Sequence, residues 1–175
     1  SLYQTMTCNN GQHEFISEYS IVKIIIKKKF PKINLIMGVI GPFSKGDVVA
    51  IPFWVANILN RFEICRITYP KWLKINWLEK KIYNEKNLEG LQAMPFNYFE
   101  LSKILIIKTE YKICLNNTIM TLIEILCATR FIKIWKCIKK IKGNIDVIVL
   151  NEISSIEILS YKQVFLYLLT FFSYN

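Results

Sequence analysis

Residues 40–73, which read IGPFSKGDVVAIPFWVANILNRFEICRITYPKWL, contain the change from strand-like to helical patterning that decides the fold. Gly41-Pro42 is a strong turn signal, and the apolar run at 48–51 predicts a strand. Pro52 suits the first position of a helix, because its φ is already fixed and its missing N–H would have no partner there. We expect the inner face of this helix to carry Phe53, Val55, Ile58, Leu59 and Phe62.

Two further strands are predicted on the N-terminal side of this stretch. Residues 20–29 are rich in β-branched side chains, and residues 32–37 roughly alternate in polarity until Gly38 closes the strand. Three consecutive lysines end the first strand. They form either a solubilising edge that prevents strand addition or a contact for phosphates or an acidic partner, and they are Lys27, Lys28 and Lys29.

Beyond residue 70 the apolar residues recur at helical spacing. We predict helices from a cap at Asn76 to about residue 86, over 98–108 and over 151–173, in addition to the long helix described next. The fold class is therefore α+β and mainly α. The predicted parts of the chain are a disordered N-terminus, a small β-rich domain and a larger helical-bundle domain, at residues 1–12, 13–66 and 67–175.

A long helix is predicted from the capping cluster at 116–118, or from a capping box that begins at Thr121, to a stop at Gly143. Basic residues recur along it at steps of three or four. A stripe of this kind is more often the solvated side of an amphipathic helix than a surface that binds the DNA backbone. The stripe consists of Arg130, Lys133, Lys136, Lys139 and Lys140.

The last predicted helix is apolar on nearly all sides toward its C-terminal end. In a chain of this size such a helix is expected to be buried against another chain. Large aromatic and aliphatic side chains are the usual anchors of a protein interface. We therefore predict a partner interface at Trp54, Trp135, Phe165, Leu168 and Phe172.

The composition favours an interaction protein without disulfides. Of the 175 residues, 53% are apolar, and the formal net charge is +10, so high apolarity and high charge occur together. An excess of Ile, Lys and Asn is typical of an AT-rich genome and weakens the charge as a sign of nucleic-acid binding. The 5 cysteines are widely spaced, which favours buried free thiols in a reducing compartment. Neither a membrane span nor a signal peptide is expected.

No catalytic, cofactor-binding or metal-binding constellation is predicted. Residues 41–46 lack the spacing and the ending of a phosphate loop, the acids form no pair suited to acid–base catalysis, and His13 is the only histidine. The residues by themselves describe a small α+β interaction protein. The alternative is a stand-alone basic nucleic-acid-binding protein that uses the lysines at 27–29 and the basic stripe.

Short motifs follow one another in an order that is specific as a series. They are GPF at 41–43, IPFWVA at 51–56, ICR at 64–66, PKWL at 70–73, MP at 94–95, YFEL at 98–101, TR at 129–130 and LNEI at 150–153. The series resembles the Psf2 subunits of GINS, the four-chain complex of eukaryotic DNA replication. The resemblance extends from about Glu14 to the C-terminus.

This resemblance implies a small β-rich domain followed by a larger helical domain, with no active site and no cofactor. It implies assembly with the Sld5, Psf1 and Psf3 subunits. Through the complex it implies an association with Cdc45 and the MCM ring, which form the active replicative helicase for initiation and elongation. A nuclear location and indirect contact with DNA follow from the same resemblance, and no membrane is implied.

Overall fold

A computed structural model describes residues 18–36, 38–108, 113–140, 151–162 and 166. The strands are β1 (Ile21–Ile26), β2 (Ile33–Leu35), β3 (Gly38–Ile40), β4 (Val48–Pro52) and β5 (Cys65–Ile67). The helices are α1 (Phe53–Arg61), α2 (Ile75–Asn87), α3 (Tyr98–Lys108) and α4 (Ile113–Lys140), with a 3₁₀ turn at Lys71–Leu73 before α2. Residues 155–162 are also helical. The predicted fold class, α+β and mainly α with a small β-rich front, is confirmed.

The β-rich front is built around β1, which lies between β4 and β5 and is antiparallel to both. Its side chains alternate strictly, so that Val22, Ile24 and Ile26 are buried while the residues between them face outward. Pro52 ends β4 and directly precedes α1. Because strand and helix join without a loop, α1 folds back over the inner face of the same sheet.

The inner face of α1 is narrower than its sequence predicts. Phe53, Val55 and Leu59 are buried as expected, but Ile58 and Phe62 are exposed, so that part of the prediction is wrong. A helix lying flat on a three-stranded sheet covers it with one stripe only. Ile58 lies outside that stripe, and Phe62 lies just past the last helical residue.

A second, two-stranded sheet was not anticipated by the sequence. Gly38 does not close a strand; it opens β3, which pairs with β2 in a hairpin. Gly41 follows this hairpin with a φ of +86°, and a Cβ there would lie 2.8 Å from the carbonyl oxygen of Pro31. The turn therefore requires glycine for both its backbone angle and its space. Met37 lies outside the described residues.

The helices share one hydrophobic core with the sheet. α2 and α3 both pack against α4. Ile24 of β1, Leu73 of the 3₁₀ turn and Ile123 of α4 are all fully buried members of the same cluster. The predicted boundary between a β-rich and a helical domain, between residues 66 and 67, stays a prediction. The hydrophobic core contains residues from both sides of it.

Two predicted helix starts are wrong. The cap position of α2 is Lys74, and Asn76 lies inside the first turn. α4 begins at Ile113, so the cluster at 116–118 and Thr121 are internal helical residues. Asn116 makes tertiary hydrogen bonds instead of a cap: its Oδ1 accepts from the Tyr69 hydroxyl at 3.0 Å, and its Nδ2 donates to the Ile106 carbonyl at 3.4 Å. The helix predicted over 98–108 is confirmed at both ends.

Several predictions lie outside the described residues. They are the disorder of residues 1–12, the stop at Gly143 and most of the last helix. Of that helix, the structure describes helical residues from 155 rather than from 151. No helix within the described part of the chain is long and apolar enough to cross a membrane.

Candidate protein interaction surface

Arg130 of α4 is completely buried, with 0% of its surface exposed. Its Nε donates to Oε1 of Glu157, and its Nη2 donates to Oε2 of the same carboxylate at 3.1 Å. The guanidinium also donates to the carbonyls of Gln92 at 2.7 Å and Glu152 at 2.6 Å. These hydrogen bonds of the guanidinium therefore connect α4 to the loop before α3 and to residues 152–157.

Glu85 of α2 is the second buried carboxylate at this place. Its Oε2 lies 3.6 Å from Nη1 of Arg130 and accepts a hydrogen bond from the backbone N–H of Gln92 at 3.0 Å. Its Oε1 accepts from Nζ of Lys133 at 3.1 Å. Two cations and two carboxylates thus balance, and we refer to Glu85, Arg130, Lys133 and Glu157 as the ionic junction.

The electrostatics of the junction keep its guanidinium charged. Burial alone lowers the pKa of Arg130, but the hydrogen bond and the negative charge of Glu157 outweigh it, so the pKa lies above its usual value. Removing one member of such a buried group of ion pairs leaves an uncompensated charge, which strongly destabilises the folded state. The junction therefore holds residues 152–157 in one position on α2 and α4.

The residues of the predicted basic stripe on α4 differ in exposure, because two of them belong to the ionic junction. Arg130 does not lie on a solvated face, so its prediction as a surface residue open to DNA or an acidic partner is wrong: its hydrogen bonds are all directed into the protein. Lys133 is likewise bound by Glu85 and by the Gly90 carbonyl at 2.9 Å. Lys136 and Lys139 are exposed, as a solvated stripe requires.

The junction acids were missed by sequence reasoning, although one of them carries a signal. Ser154 and Glu157 have the Ser-x-x-Glu spacing of a capping box. In the structure the Glu157 carboxylate does reach back to the Ser154 N–H, at 2.9 Å. Glu85 carries no comparable signal, because only the packing of α2 on α4 brings it to Arg130.

The three lysines after β1 are all exposed. Lys28 lies 3.7 Å from the Glu63 carboxylate, and the side chains of both are largely in water. The backbone N–H groups of Lys27 and Lys28 both donate to the Ile64 carbonyl, which fixes the backbone at this position. Their contact with phosphates or an acidic partner stays a prediction.

The predicted interface anchors have different positions. Trp135 is 42% exposed on α4. Trp54 is partly buried, and its indole N–H is enclosed without a hydrogen-bond partner in the described part of the chain. Phe165, Leu168 and Phe172 lie outside the described residues.

Exposed apolar side chains also occur on the outer face of the sheet. Ile25 of β1 lies directly opposite Val48 of β4, and both are exposed, as is Ile21. A groove of about 420 Å³ adjoins Ile25 and is lined further on by Tyr69, Leu73 and Leu115. Apolar side chains are therefore exposed on this face of the sheet as well as on α4, where Ile125, Ile132 and Trp135 are exposed.

Cys65, Cys127 and Cys137 form no disulfide, and their environments differ. Burial raises the pKa of Cys65 to about 11 and that of Cys127 to about 12. Cys137 is exposed, so the expectation of burial is wrong for this residue. No cluster of three or more His, Cys, Asp or Glu side chains suited to a metal is present in the described ranges.

Comparison with known proteins places the chain in a family. The model of the PSF2 N-terminal domain matches residues 9–68. The DNA replication complex GINS protein PSF2 of Candida albicans is 32% identical over 148 residues, which is 82% of this chain and 71% of that relative. The chain belongs to the GINS PSF2 family. The resemblance inferred from the motifs is thereby confirmed.

Two further members show the extent of the relationship. The human DNA replication complex GINS protein PSF2 is 35% identical over 122 residues, covering 69% of this chain and 66% of the human protein. A Caenorhabditis elegans protein named as a probable GINS protein PSF2 is 35% identical over 100 residues, covering 56% of this chain and 55% of the relative. The matched region thus spans between half and two thirds of these two relatives.

Proposed function

We propose that this chain is a non-catalytic structural subunit of the GINS heterotetramer and acts in DNA replication. The observation that carries the proposal is the similarity to GINS PSF2 proteins along 82% of the chain. The surface supports it, since isoleucine and tryptophan side chains remain exposed on α4 and on the sheet. Surfaces of this kind mark sites of protein association.

The partners in this proposal are the Sld5, Psf1 and Psf3 subunits. Through the tetramer the chain would contribute to the assembly of Cdc45 with the MCM ring, and hence to the active replicative helicase in the nucleus. DNA contact would be indirect, and no membrane is involved. Trp54, Trp135, Phe165, Leu168 and Phe172 are proposed as the anchors toward these subunits.

The ionic junction gives this role a physical basis. A scaffold subunit has to present its surfaces in a constant relative position, because an interface loses affinity when its parts must be ordered on binding. Arg130 joins α4, the loop containing Gln92 and residues 152–157 through buried hydrogen bonds. The part of the chain leading to the last helix is thereby held before any partner arrives.

The proposal is tested by co-expressing the chain with the other three GINS subunits of the same organism, followed by size-exclusion chromatography with mass detection. We expect one complex with one copy of each chain. A chain that stays alone and monodisperse at high concentration would contradict the proposal. In that case steeply salt-dependent DNA binding by the isolated chain would favour the alternative, a stand-alone nucleic-acid-binding protein.

A further inference from the structure

Three segments of the chain meet at the end of the sheet where β1 finishes. The turn before β4 is bound there, since the N–H of Ile26 donates to the carbonyl of Asp47 at 2.9 Å. The chain after α1 is bound there too, because the N–H of Lys27 donates to the carbonyl of Ile64 at 2.7 Å. Two loops and the end of β1 are thereby fixed side by side.

This end of the sheet carries a surplus of exposed cations. Five exposed positive side chains compare with two exposed negative ones, Asp47 and Glu63. Lys28 lies 3.7 Å from the Glu63 carboxylate, and the other four cations form no ion pair with a residue that the structure describes. A net positive charge therefore faces the solvent. We call these five cations the basic end, and they are Lys27, Lys28, Lys29, Lys45 and Arg61.

An exposed aromatic ring lies beside the basic end. Phe62 directly follows Arg61, and 69% of its surface is exposed. Its backbone is held, because its N–H donates to the Ile58 carbonyl at 3.3 Å. The next residue, Glu63, is the one whose carboxylate approaches Lys28. A large apolar side chain on a fixed backbone among cations suits a ligand that has both acidic and apolar groups.

The arrangement favours an acidic peptide over a nucleic acid. A nucleic-acid backbone carries a negative charge at every nucleotide, whereas a peptide can place its acids opposite the lysines and neutral residues opposite Asp47 and Glu63. Single-stranded nucleic acids also require successive exposed aromatic rings for stacking. Phe30 and Phe43 stack on each other, and they are buried and half-buried respectively, so they offer no such surface.

We propose that the basic end is a docking site for an acidic peptide segment of another protein, with an apolar residue that covers Phe62. The carboxylates of the segment pair with the lysines, as in other sites that recognise acidic motifs. This site goes beyond the proposed function and requires no particular GINS subunit. A second copy of this chain is disfavoured as the partner, because two chains of net charge +10 repel each other.

The test measures fluorescence anisotropy of a labelled probe with the isolated chain at low concentration and with the four-chain complex. The probe is a short fluorescein-labelled peptide of Asp and Glu with a Leu-Phe pair at its centre. Two triple variants each remove three exposed positive charges, so they have the same total charge. The test variant is Lys27→Gln, Lys28→Gln and Lys29→Gln. The matched control, on the 3₁₀ turn and α2, is Lys71→Gln, Lys80→Gln and Lys86→Gln.

We expect the test variant to bind the probe roughly tenfold more weakly than the unchanged chain at low salt. The control should stay within about twofold, because isolated exposed charges contribute little. Raising the salt concentration should reduce the difference between the two variants. Circular dichroism should show the same helix content for both.

The apolar part of the site has its own test. Phe62→Ala should weaken binding of the probe about fivefold, as loss of an anchor does. Phe96→Ala is the matched control, because Phe96 is 54% exposed before α3, and it should bind as the unchanged chain does. A second probe with Gly-Ser in place of Leu-Phe should bind Phe62→Ala and the unchanged chain equally.

Several outcomes would overturn the proposal. Equal losses for the two lysine variants would show that only the total charge matters. Tighter binding of a single-stranded DNA oligonucleotide of the same net charge, lost in the test variant, would identify a nucleic-acid site instead. Binding by the isolated chain but not by the four-chain complex would mean that a GINS subunit covers the basic end. If the complex does not form, the proposed function fails, while the measurement on the isolated chain still decides this inference.

Discussion

At the scale of single residues, Arg130 is expected to contribute strongly to the stability of the described structure, because it is buried and bound to two carboxylates. Arg130→Met keeps much of the side chain's volume but leaves Glu85 and Glu157 buried with too little positive charge. We expect a loss of about 3–5 kcal/mol in the free energy of unfolding, measured by urea denaturation followed by tryptophan fluorescence at low protein concentration.

The control for this experiment is Lys28→Met, which removes the exposed ion pair with Glu63. Because both side chains are mostly in water, we expect a change of at most about 0.5 kcal/mol. Equal losses for the two variants would contradict a special role for the buried junction.

Cysteine reactivity is also decided at the residue scale. Cys65 and Cys127 are buried, and their pKa values are raised to about 11 and about 12, so almost no thiolate is present at neutral pH. Iodoacetamide under native conditions should therefore modify Cys137 much faster than either of them, as read from peptide mass spectrometry. Comparable rates for Cys127 and Cys137 would show that the region around Cys127 opens readily.

The raised pKa of Cys127 also predicts a pH dependence. A buried thiol that stays protonated up to about pH 12 contributes stability below its ordinary pKa of 9.0. This contribution is lost as the pH rises from about 9 toward 12, because the unfolded chain releases the proton first. Over this range, the free energy of unfolding should fall less steeply for Cys127→Ala than for the unchanged chain. Parallel curves would argue against the thiol as the source.

At the scale of elements, α4 offers a comparison between two isoleucines on different faces. Ile134 is 1% exposed and Ile132 is 57% exposed. Ile134→Ala should destabilise the isolated chain by about 2–4 kcal/mol through the cavity it leaves, whereas Ile132→Ala should cost about 0.5 kcal/mol or less.

In the four-chain complex, the two substitutions should rank in the opposite order by their effect on assembly. Ile132→Ala is expected to weaken assembly more than Ile134→Ala does, once both variants are assayed under conditions in which they are folded. An equal loss of stability for both substitutions in the isolated chain would mean that the chain itself already covers Ile132.

At the scale of the whole molecule, the exposed apolar surfaces predict poor behaviour of the chain on its own. We expect light scattering to show concentration-dependent self-association of the isolated chain, because apolar faces without partners associate nonspecifically. Co-expression with the other GINS subunits should suppress it. An isolated chain that stays monomeric at high concentration would contradict the proposed role as an assembly subunit.

The sequence alone was sufficient for the fold class, the bounds of α3, the presence of a strand at β1 and the family. These features depend on local periodicity and on motif order, which a single chain displays directly. Pro52 predicted the start of α1 to within one residue: it is the last residue of β4 and the cap position of the helix rather than its first residue.

Only the tertiary structure decided the state of Arg130 and Lys133. Their spacing is that of a solvated stripe, and nothing local distinguishes them from Lys136. Arg130 is buried and Lys133 is partly buried because α2 and residues 152–157, both distant in sequence, bring Glu85 and Glu157 to them. Likewise, only packing shows which apolar residues of α4 the protein itself covers, such as Ile134, and which stay exposed, such as Ile132. Periodicity reveals that a face is apolar, whereas its cover depends on contacts between distant segments.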